Sequence, residues 1–293
     1  MRQSGVGGDA QKILDLVRDH VLAGASLPTV WVPGKETRDD REIVRQRVTV
    51  ADKRCKVKTQ IQSLLKRFDL RKPTDVKSAW SEAFDSWLRQ LAAGTMSDGS
   101  PSPLGWGARH TLSSLLRELA HWDGELATLD KAIQELAHEA RYESAVKEQT
   151  QEAGVGVLTS VAFLSELGDV TRFRNRRQIA AYLGLAPSCF ESGNSDDRKG
   201  HITRQGPGHV RKLLCQACWT SVRCDAHERA RYERLKARNP QKPKISVVAA
   251  MRRLSIRLWH KAQAARVRPA CDTTSRSSSP PQATSVLPAA APS

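Results

Sequence analysis

The chain has 293 residues, with 47 Lys and Arg against 31 Asp and Glu, a formal charge of +16. That length allows two domains with their own cores, and a cationic surplus of this size points to a polyanion partner, because cations bound on phosphates release condensed counterions. No apolar run of about eighteen residues occurs and residues 1–9 hold no apolar stretch, which argues against a membrane span and a signal peptide.

Aromatic residues make up only 5% of the chain, and seven of them are Trp. Strands favour β-branched and aromatic side chains, so a mainly α fold is expected. Six scattered cysteines in a long chain suit a reducing cytoplasm better than a disulfide scaffold, and the expected location is cytoplasmic, with the nucleoid.

In chain order, residues 10–23 read as a short helix with Ile13, Leu14, Val17 and Val21 on one face. Asp9 stands where its amino-terminal cap belongs. Residues 27–33 form an extended segment pinned between Pro28 and Pro33. A long helix is predicted over 36–71, with Val44, Val48, Ala51 and Cys55 in one stripe and Ile61, Leu64, Leu65 and Phe68 continuing it. Its other faces are basic: 35–72 holds thirteen Lys/Arg against six Asp/Glu. Pro73 ends it, and Thr74 is the expected cap of a second helix to about Leu91 that carries Trp80, Phe84, Trp87 and Leu88.

Residues 92–107 read as a linker, with Gly94, Gly99, Gly105, Gly107, Pro101 and Pro103. Leu112, Leu115, Leu119, Trp122, Leu126, Leu129, Ile133, Leu136 and Ala140 then alternate spacings of three and four, the a/d pattern of a coiled coil. A seam between two copies and an antiparallel hairpin with 36–71 leave the same stripe, so the homo-oligomer expected through it stands beside an internal alternative. Residues 154–261 read as a compact helical domain, and the Ser-, Pro- and Ala-rich stretch from 266 to 293 as a disordered tail.

Three segments of that domain carry candidate chemistry. Gly154-Val155-Gly156 opens a helix in the manner of a helix-hairpin-helix module, whose free N–H groups hold a phosphate; a plain tight turn accounts for it equally well. Four arginines fall between 172 and 177; of these Arg174, Arg176 and Arg177 are candidate phosphate contacts, with Asn175 as the cap of the next helix. The third is a Gly- and Ser-rich loop after Gly184 that carries Ser192 and leads through Arg198, Lys199 and Arg204 to a helix with His209, Arg211 and Lys212. A serine on a Gly-flanked loop ringed by cations suits attack on a phosphodiester, although residue chemistry alone favours a basic loop with idle serines. Cys215, Cys218, Cys224 and His227 fall on one predicted helix with no loop to wrap a metal, which favours core cysteines over a zinc site. Lys242, Lys244, Arg252, Arg253 and Arg257 lie on or before a last helix that buries Val247, Val248, Met251, Leu254, Leu258 and Trp259, and its other face suits nucleic acid or solvent alike.

The ordered set Gly-Val-Gly at 154–156, Glu-Leu-Gly-Asp at 166–169, Arg-Phe at 172–173, Gly-Leu-Ala-Pro at 184–187, Glu-Ser-Gly at 191–193, Ile-Thr-Arg-Gln-Gly at 202–206 and Arg-Lys-Leu-Leu at 211–214 resembles the carboxy-terminal domain of insertion-sequence transposases of the family numbered one-hundred-ten. The resemblance implies a division into the end of a RuvC-like domain (1–34), a coiled-coil region (35–150), a serine transposase domain (151–265) and a tail (266–293). It implies Ser192 as the nucleophile on a DNA phosphate, forming a covalent DNA–serine intermediate before strand exchange. Gly154, Gly156, Arg174, Arg176, Arg177, Arg198, Lys199, Arg204, Arg211 and Lys212 would contact nucleic acid. The partners implied are DNA and a structured guide RNA, and the cofactor of the full-length family is a divalent metal, magnesium. That metal is expected to be absent from this chain: of the family's carboxylates only Asp9 matches, and Val6 stands where another Asp is expected. The chain is therefore expected to be an amino-terminally truncated transposase, impaired alone. The alternative is a non-catalytic helical DNA-binding or scaffolding protein.

Overall fold

The computed structural model describes residues 6–27, 31–74, 76–96, 98–189 and 199–267, with backbone only at 6–9, Cys189, Lys199 and Val267. It divides into two compact units, Met1–Asp39 and Asp40–Ser293. As the composition predicts, the fold is mainly α.

The first unit carries helix α1, Val6–Ala23. Gly24, with φ +67, follows it, and its N–H returns to the His20 carbonyl. Ile13, Leu14, Val17 and Val21 do share a face, and all four are exposed. Residues 31–34 are irregular, while Pro28–Val30 lie outside the described residues.

Helix α2, Lys35–Arg67, is the predicted long helix, but its buried face drifts along its length. Val44 and Val48 point into one core; Val57, Ile61, Leu64 and Leu65 point into another; Cys55 and Phe68, assigned to the stripe, are exposed. The two sets lie on different sides of the helix, so its buried face changes between Val48 and Val57, and Val50, fully buried, already lies on the second side. The helix stops before Pro73 is reached: Asp69 takes φ 48 and the Leu70 N–H bonds to the Leu65 carbonyl.

Helix α3, Glu82–Ala93, begins seven residues later than a cap at Thr74 would start it. Its cap is Ser81, whose hydroxyl accepts from the Phe84 N–H at 3.3 Å. Two capping signals precede the same aromatic run, and packing chooses the one that lets Trp80 meet Phe84 edge-on at 5.3 Å. Ser81→Ala is expected to cost about 1 kcal/mol of stability in a denaturant titration; a Thr74→Ala variant should be silent by the same measure.

The predicted linker is an ordered corner. Gly94 (φ +98) caps α3, Thr95 bridges Pro101, and Leu104 is buried before α4 starts. Helix α4, Trp106–Ala137, buries Leu112, Leu119, Leu126, Ile133 and Leu136 of the predicted stripe. It runs antiparallel to α2 within the same chain. Arg47 holds Asp130 by two bonds of 2.8 and 3.0 Å, Arg54 pairs with Asp123 seven residues on, and Lys53 lies 4.6 Å over the Trp122 ring. The internal hairpin is thus the arrangement that uses the heptad stripe.

Helices α5 (Glu143–Gln149), α6 (Val157–Leu167) and α7 (Arg176–Tyr182) follow, then strands β1 (Pro187–Cys189) and β2 (Lys199–Ile202), and helices α8 (Gly208–Cys224), α9 (Ala226–Arg238) and α10 (Pro243–Val267). A 3-10 turn at Val170–Arg172 joins α6 to α7. The two strands pair antiparallel where the sequence reads only as a loop and a basic segment. Three- and four-residue strands are too short for alternation to be visible. Helix α10 is the spine of this region, with Met251, Leu254, Leu258, Trp259, Ala262 and Ala265 all buried. The Trp259 indole N–H donates to the Val170 carbonyl at 3.0 Å, and the Gln149 amide donates to the Leu258 carbonyl at 2.9 Å. Val44, Val48, Ile133 and Leu136 join this same core, so α2 and α4 are continuous with it. Residues 268–293, read as a disordered tail, lie outside the described residues.

Candidate nucleic-acid interface

The ends of the β1–β2 hairpin are held by two close backbone approaches. Gly184 has φ +65, and a Cβ there would lie 2.4 Å from the Gln205 carbonyl oxygen. Gly206 has φ +124, and a Cβ there would lie 2.1 Å from the Tyr182 carbonyl oxygen. Each glycine therefore lets the α7 end and the segment after β2 touch backbone to backbone. The Thr203 N–H donates to the Ala186 carbonyl and the Ser188 hydroxyl to the His201 carbonyl at 2.8 Å, which ties the strands above that contact. Residues 190–198, with Ser192 and Arg198, follow β1 and precede β2 in the chain and lie outside the described residues.

Arg204 and Arg211 flank the same contact. Arg204 is exposed and has φ 55, a left-handed conformation that non-glycine residues adopt at a cost of about 1–3 kcal/mol. The Arg211 guanidinium donates to the Leu183 and Gly206 carbonyls, both at 3.0 Å, so it clamps the hairpin from below. Its pKa is lowered, first by burial and then by repulsion from Arg204. Lys212 is half-exposed and pairs with Asp52 on α2. The backbone of Lys199 starts β2.

Arg174, Arg176 and Arg177 are exposed around the start of α7, and no ion pair or hydrogen bond engages their guanidinium groups among the described residues. Asn175 caps that helix as predicted, its side chain accepting from the Arg177 and Gln178 N–H groups at 3.0 and 3.1 Å. Arg172 is different: it stacks 4.1 Å over Phe173 and 4.5 Å over Tyr182, and donates to the Leu167 carbonyl. It holds α7 against α6.

Gly154 and Gly156 play unlike parts. Gly154 (φ +81) packs on α8, where a Cβ would come within 2.4 Å of the Ala217 carbonyl oxygen and 2.7 Å of the Ser221 nitrogen. Gly156 precedes α6 in open space, with no side chain capping that end. The Val155 N–H between them is already bonded to the Glu152 carbonyl.

Beneath the hairpin lies a buried ionic cluster that sequence reasoning missed. Glu166 of α6 meets His209 Nε2 at the start of α8 at 3.4 Å, Arg45 at 3.4 Å and Arg41 at 3.9 Å. Arg41 also donates to the Ser165 and Glu166 carbonyls, at 2.9 and 2.6 Å, and the Tyr182 hydroxyl donates to the Glu166 carbonyl at 2.9 Å. Burial pushes the Glu166 carboxyl up, but the hydrogen bond from His209 and the charges of Arg41 and Arg45 prevail and hold it below its ordinary value. Glu166 lies in the Glu-Leu-Gly-Asp stretch that helps carry the resemblance. Its arginine partners are more than a hundred residues upstream, so no local pattern announces them.

A second buried carboxylate, Asp40, accepts from the Tyr142 hydroxyl at 2.7 Å and from Arg141 at 3.0 Å. Burial first, and then that bond to Asp40, raises the Tyr142 phenol. Both buried carboxylates are thus occupied by protein donors. Asp9 falls on the α1 backbone with its side chain outside the described residues, and no group of three or more His, Cys, Asp and Glu able to hold a metal ion occurs among the described residues.

Cys218 is buried, and burial, with a smaller contribution from Cys215, pushes its thiol up to about 12. The helix expected to carry Cys215 through His227 is in fact two, α8 and α9, broken at Asp225, which caps α9 by accepting from the His227 N–H at 2.7 Å. Arg257, a candidate for the outer face of α10, turns inward to Glu152 at 2.9 Å and Glu228 at 3.2 Å. No helix among the described residues is long and apolar enough to cross a membrane.

Residues 150–233, which run from the end of α5 through the hairpin into α9, match the family model described as Transposase IS116/IS110/IS902 family. The chain is 26% identical over 201 residues to y4qE of Sinorhizobium fredii, described as a transposase, covering 68% of this chain and 45% of that protein. It is 27% identical over 244 residues to a protein of Pseudomonas aeruginosa described as a family 20 transposase, covering 82% of this chain and 68% of the relative. Over 94 residues it is 33% identical to the transposase for insertion sequence element IS1111A of Coxiella burnetii, covering 31% of this chain and 26% of that protein. The chain thus spans about half the length of y4qE.

Proposed function

We propose, from the premise that residues 150–233 of the chain belong to the IS116/IS110/IS902 family of insertion-sequence transposases, that the protein binds DNA through the α7–hairpin face and carries the strand-attacking serine of a transposition reaction. The observation that carries this reading is the span of the family match: it falls on the elements that bracket the loop 190–198. The exposed cations Arg174, Arg176, Arg177 and Arg204, with Arg198 and Lys199 on or beside the loop, would hold backbone phosphates. Arg211 and Lys212 would act through the hairpin and α2, since their charged groups are engaged there. Gly156 leaves the α6 amino terminus open to a phosphate, whereas Gly154 serves packing.

In the reaction proposed, Ser192 Oγ attacks a DNA phosphorus. The Oγ–P bond forms, one P–O bond of the strand breaks, the serine proton passes to a base, and the leaving oxygen takes up a proton. The guanidinium groups of the α7–hairpin face would offset the charge that builds on the phosphate oxygens. The family is compatible with divalent metal use, which supplies further charge neutralisation when an ion is bound. A structured guide RNA and self-association belong to the same proposal. Because the heptad stripe of α4 is spent on α2, self-association would use another surface.

The test is to trap a covalent DNA adduct with a labelled nicked duplex on denaturing gels. Wild type and Ser188→Ala are expected to trap adduct, and Ser192→Ala none. An equal yield from Ser192→Ala would move the nucleophile elsewhere. Absence of adduct from wild type, with DNA binding intact, would leave the alternative of a non-catalytic DNA-binding protein.

A further inference from the structure

The cations of the region around α10 divide by whether a carboxylate meets them. Arg231 and Arg257 meet Glu228, Lys261 meets Glu152 at 3.5 Å, and Arg266 meets Asp169 at 2.5 Å. The segment 234–244 is unlike these. It holds five Lys/Arg and no Asp/Glu, and all five cations are exposed. Lys236 has Glu233 one turn back at 3.7 Å. Arg238, Lys242 and Lys244 have no ion pair among the described residues.

This corner is built, not loose. The Asn239 N–H closes on the Lys236 carbonyl, the Lys242 N–H on that of Asn239, and the Ile245 N–H on that of Lys242. Pro243 then opens α10 with its φ already set for a helix. The cations of the last turn of α9 also complement the negative end of that helix. Three cations displayed on a fixed turn can bind phosphates without first ordering a loop.

The corner also lies far from the α7–hairpin face. Trp259 and Arg266 tie the later part of α10 to the turn before α7. From Lys244 to Trp259 the helix rises about 22 Å at 1.5 Å per residue. The two cationic faces therefore cannot share one phosphate.

We propose that the α9–α10 corner, through Arg238, Lys242 and Lys244, is a second phosphate-binding surface that takes the backbone of duplex DNA beyond the segment held at the α7–hairpin face. It extends the nucleic-acid reading to a new site but does not depend on Ser192 or on catalysis.

The test uses the intact chain and a fluorescein-labelled duplex of about thirty base pairs, roughly three helical turns, in anisotropy titrations across a salt series. The triple variant R238Q/K242Q/K244Q is expected to bind at least about tenfold more weakly near 0.1 M salt, with the log–log salt slope reduced by about 0.9 for each phosphate no longer neutralised. Its melting temperature should fall by no more than about 4 °C, because only the favourable position of Arg238 at the end of α9 is lost. The companion variant R174Q/R176Q/R177Q separates the two faces. Weaker binding by both variants is the expected result and supports both faces. Weaker binding by the companion alone overturns this proposal and leaves the α7 face standing. Weaker binding by R238Q/K242Q/K244Q alone supports this proposal and removes the α7 face. If the triple variant kept its affinity for duplex DNA and lost it only for a structured RNA, the surface would belong to RNA and the proposal would fail.

Discussion

Glu166→Ala is expected to destabilise the protein by about 3–5 kcal/mol, the usual cost of removing one partner from a buried ion pair. Glu166 is 6% exposed and Arg41 9% exposed. Removal of the carboxylate leaves the Arg41 guanidinium buried without that counter-charge, and takes the same carboxylate from His209 and Arg45. Glu166→Gln keeps the shape and part of the hydrogen bonding, so its cost should be smaller. The sign with pH follows from the depressed carboxyl. A group whose folded pKa lies below its unfolded one contributes fully above the unfolded value, and that contribution is lost as pH falls through the folded value. The stability gap between wild type and Glu166→Ala should be level above about pH 5 and shrink in more acid solution. Urea titrations across that range measure it, and a gap that grew on acidification would refute the assignment.

Gly206→Ala is expected to be nearly as damaging, and for a different reason. At φ +124 an L side chain is strained, at about 1–3 kcal/mol, and its Cβ would sit 2.1 Å from the Tyr182 carbonyl oxygen. The atoms it would meet are backbone atoms, so the segment after β2 has to move away from α7. We expect a loss of more than about 2 kcal/mol, together with loss of any DNA adduct, because the loop 190–198 spans the strands that this contact closes. Gly156→Ala is the matched control: with φ −100 and nothing within 4 Å of a Cβ, it should be near neutral. Thermal melts of the two variants decide the matter, and equal stability would overturn the close-approach argument.

Much of the architecture was legible because its cause is local. The a/d stripe of α4 needs only side-chain spacing, and Leu112 and Ile133 are indeed almost fully buried. Asn175 caps α7 because an Asn side chain reaches the next N–H groups whatever surrounds it. Where two local signals competed, the pattern erred. Thr74 and Ser81 are both caps by chemistry, and the aromatic packing of Trp80, Phe84 and Trp87 selected Ser81. The glycines and prolines of 92–107 looked like a linker because they break helices, but a corner between packed helices α3 and α4 needs the same residues.

The sequence by itself determined the helical class, the cationic surplus and the ordered motifs of 154–214 that resemble a transposase domain, since composition and residue order carry these. Only the tertiary structure decided which cations are engaged by other groups of the protein and which, among the described residues, are not. Arg211, Lys212 and Arg257 look the same in a sequence as Arg177 and Lys244, yet the first three are held by carbonyls or carboxylates that folding brings to them. It also decided that the heptad stripe closes on α2 within the chain, and that Glu166 gathers Arg41 and Arg45 from α2 and His209 from α8. The reason is the same in each case: the partner is distant along the chain, and burial, which makes the pairing strong, exists only once the helices have packed.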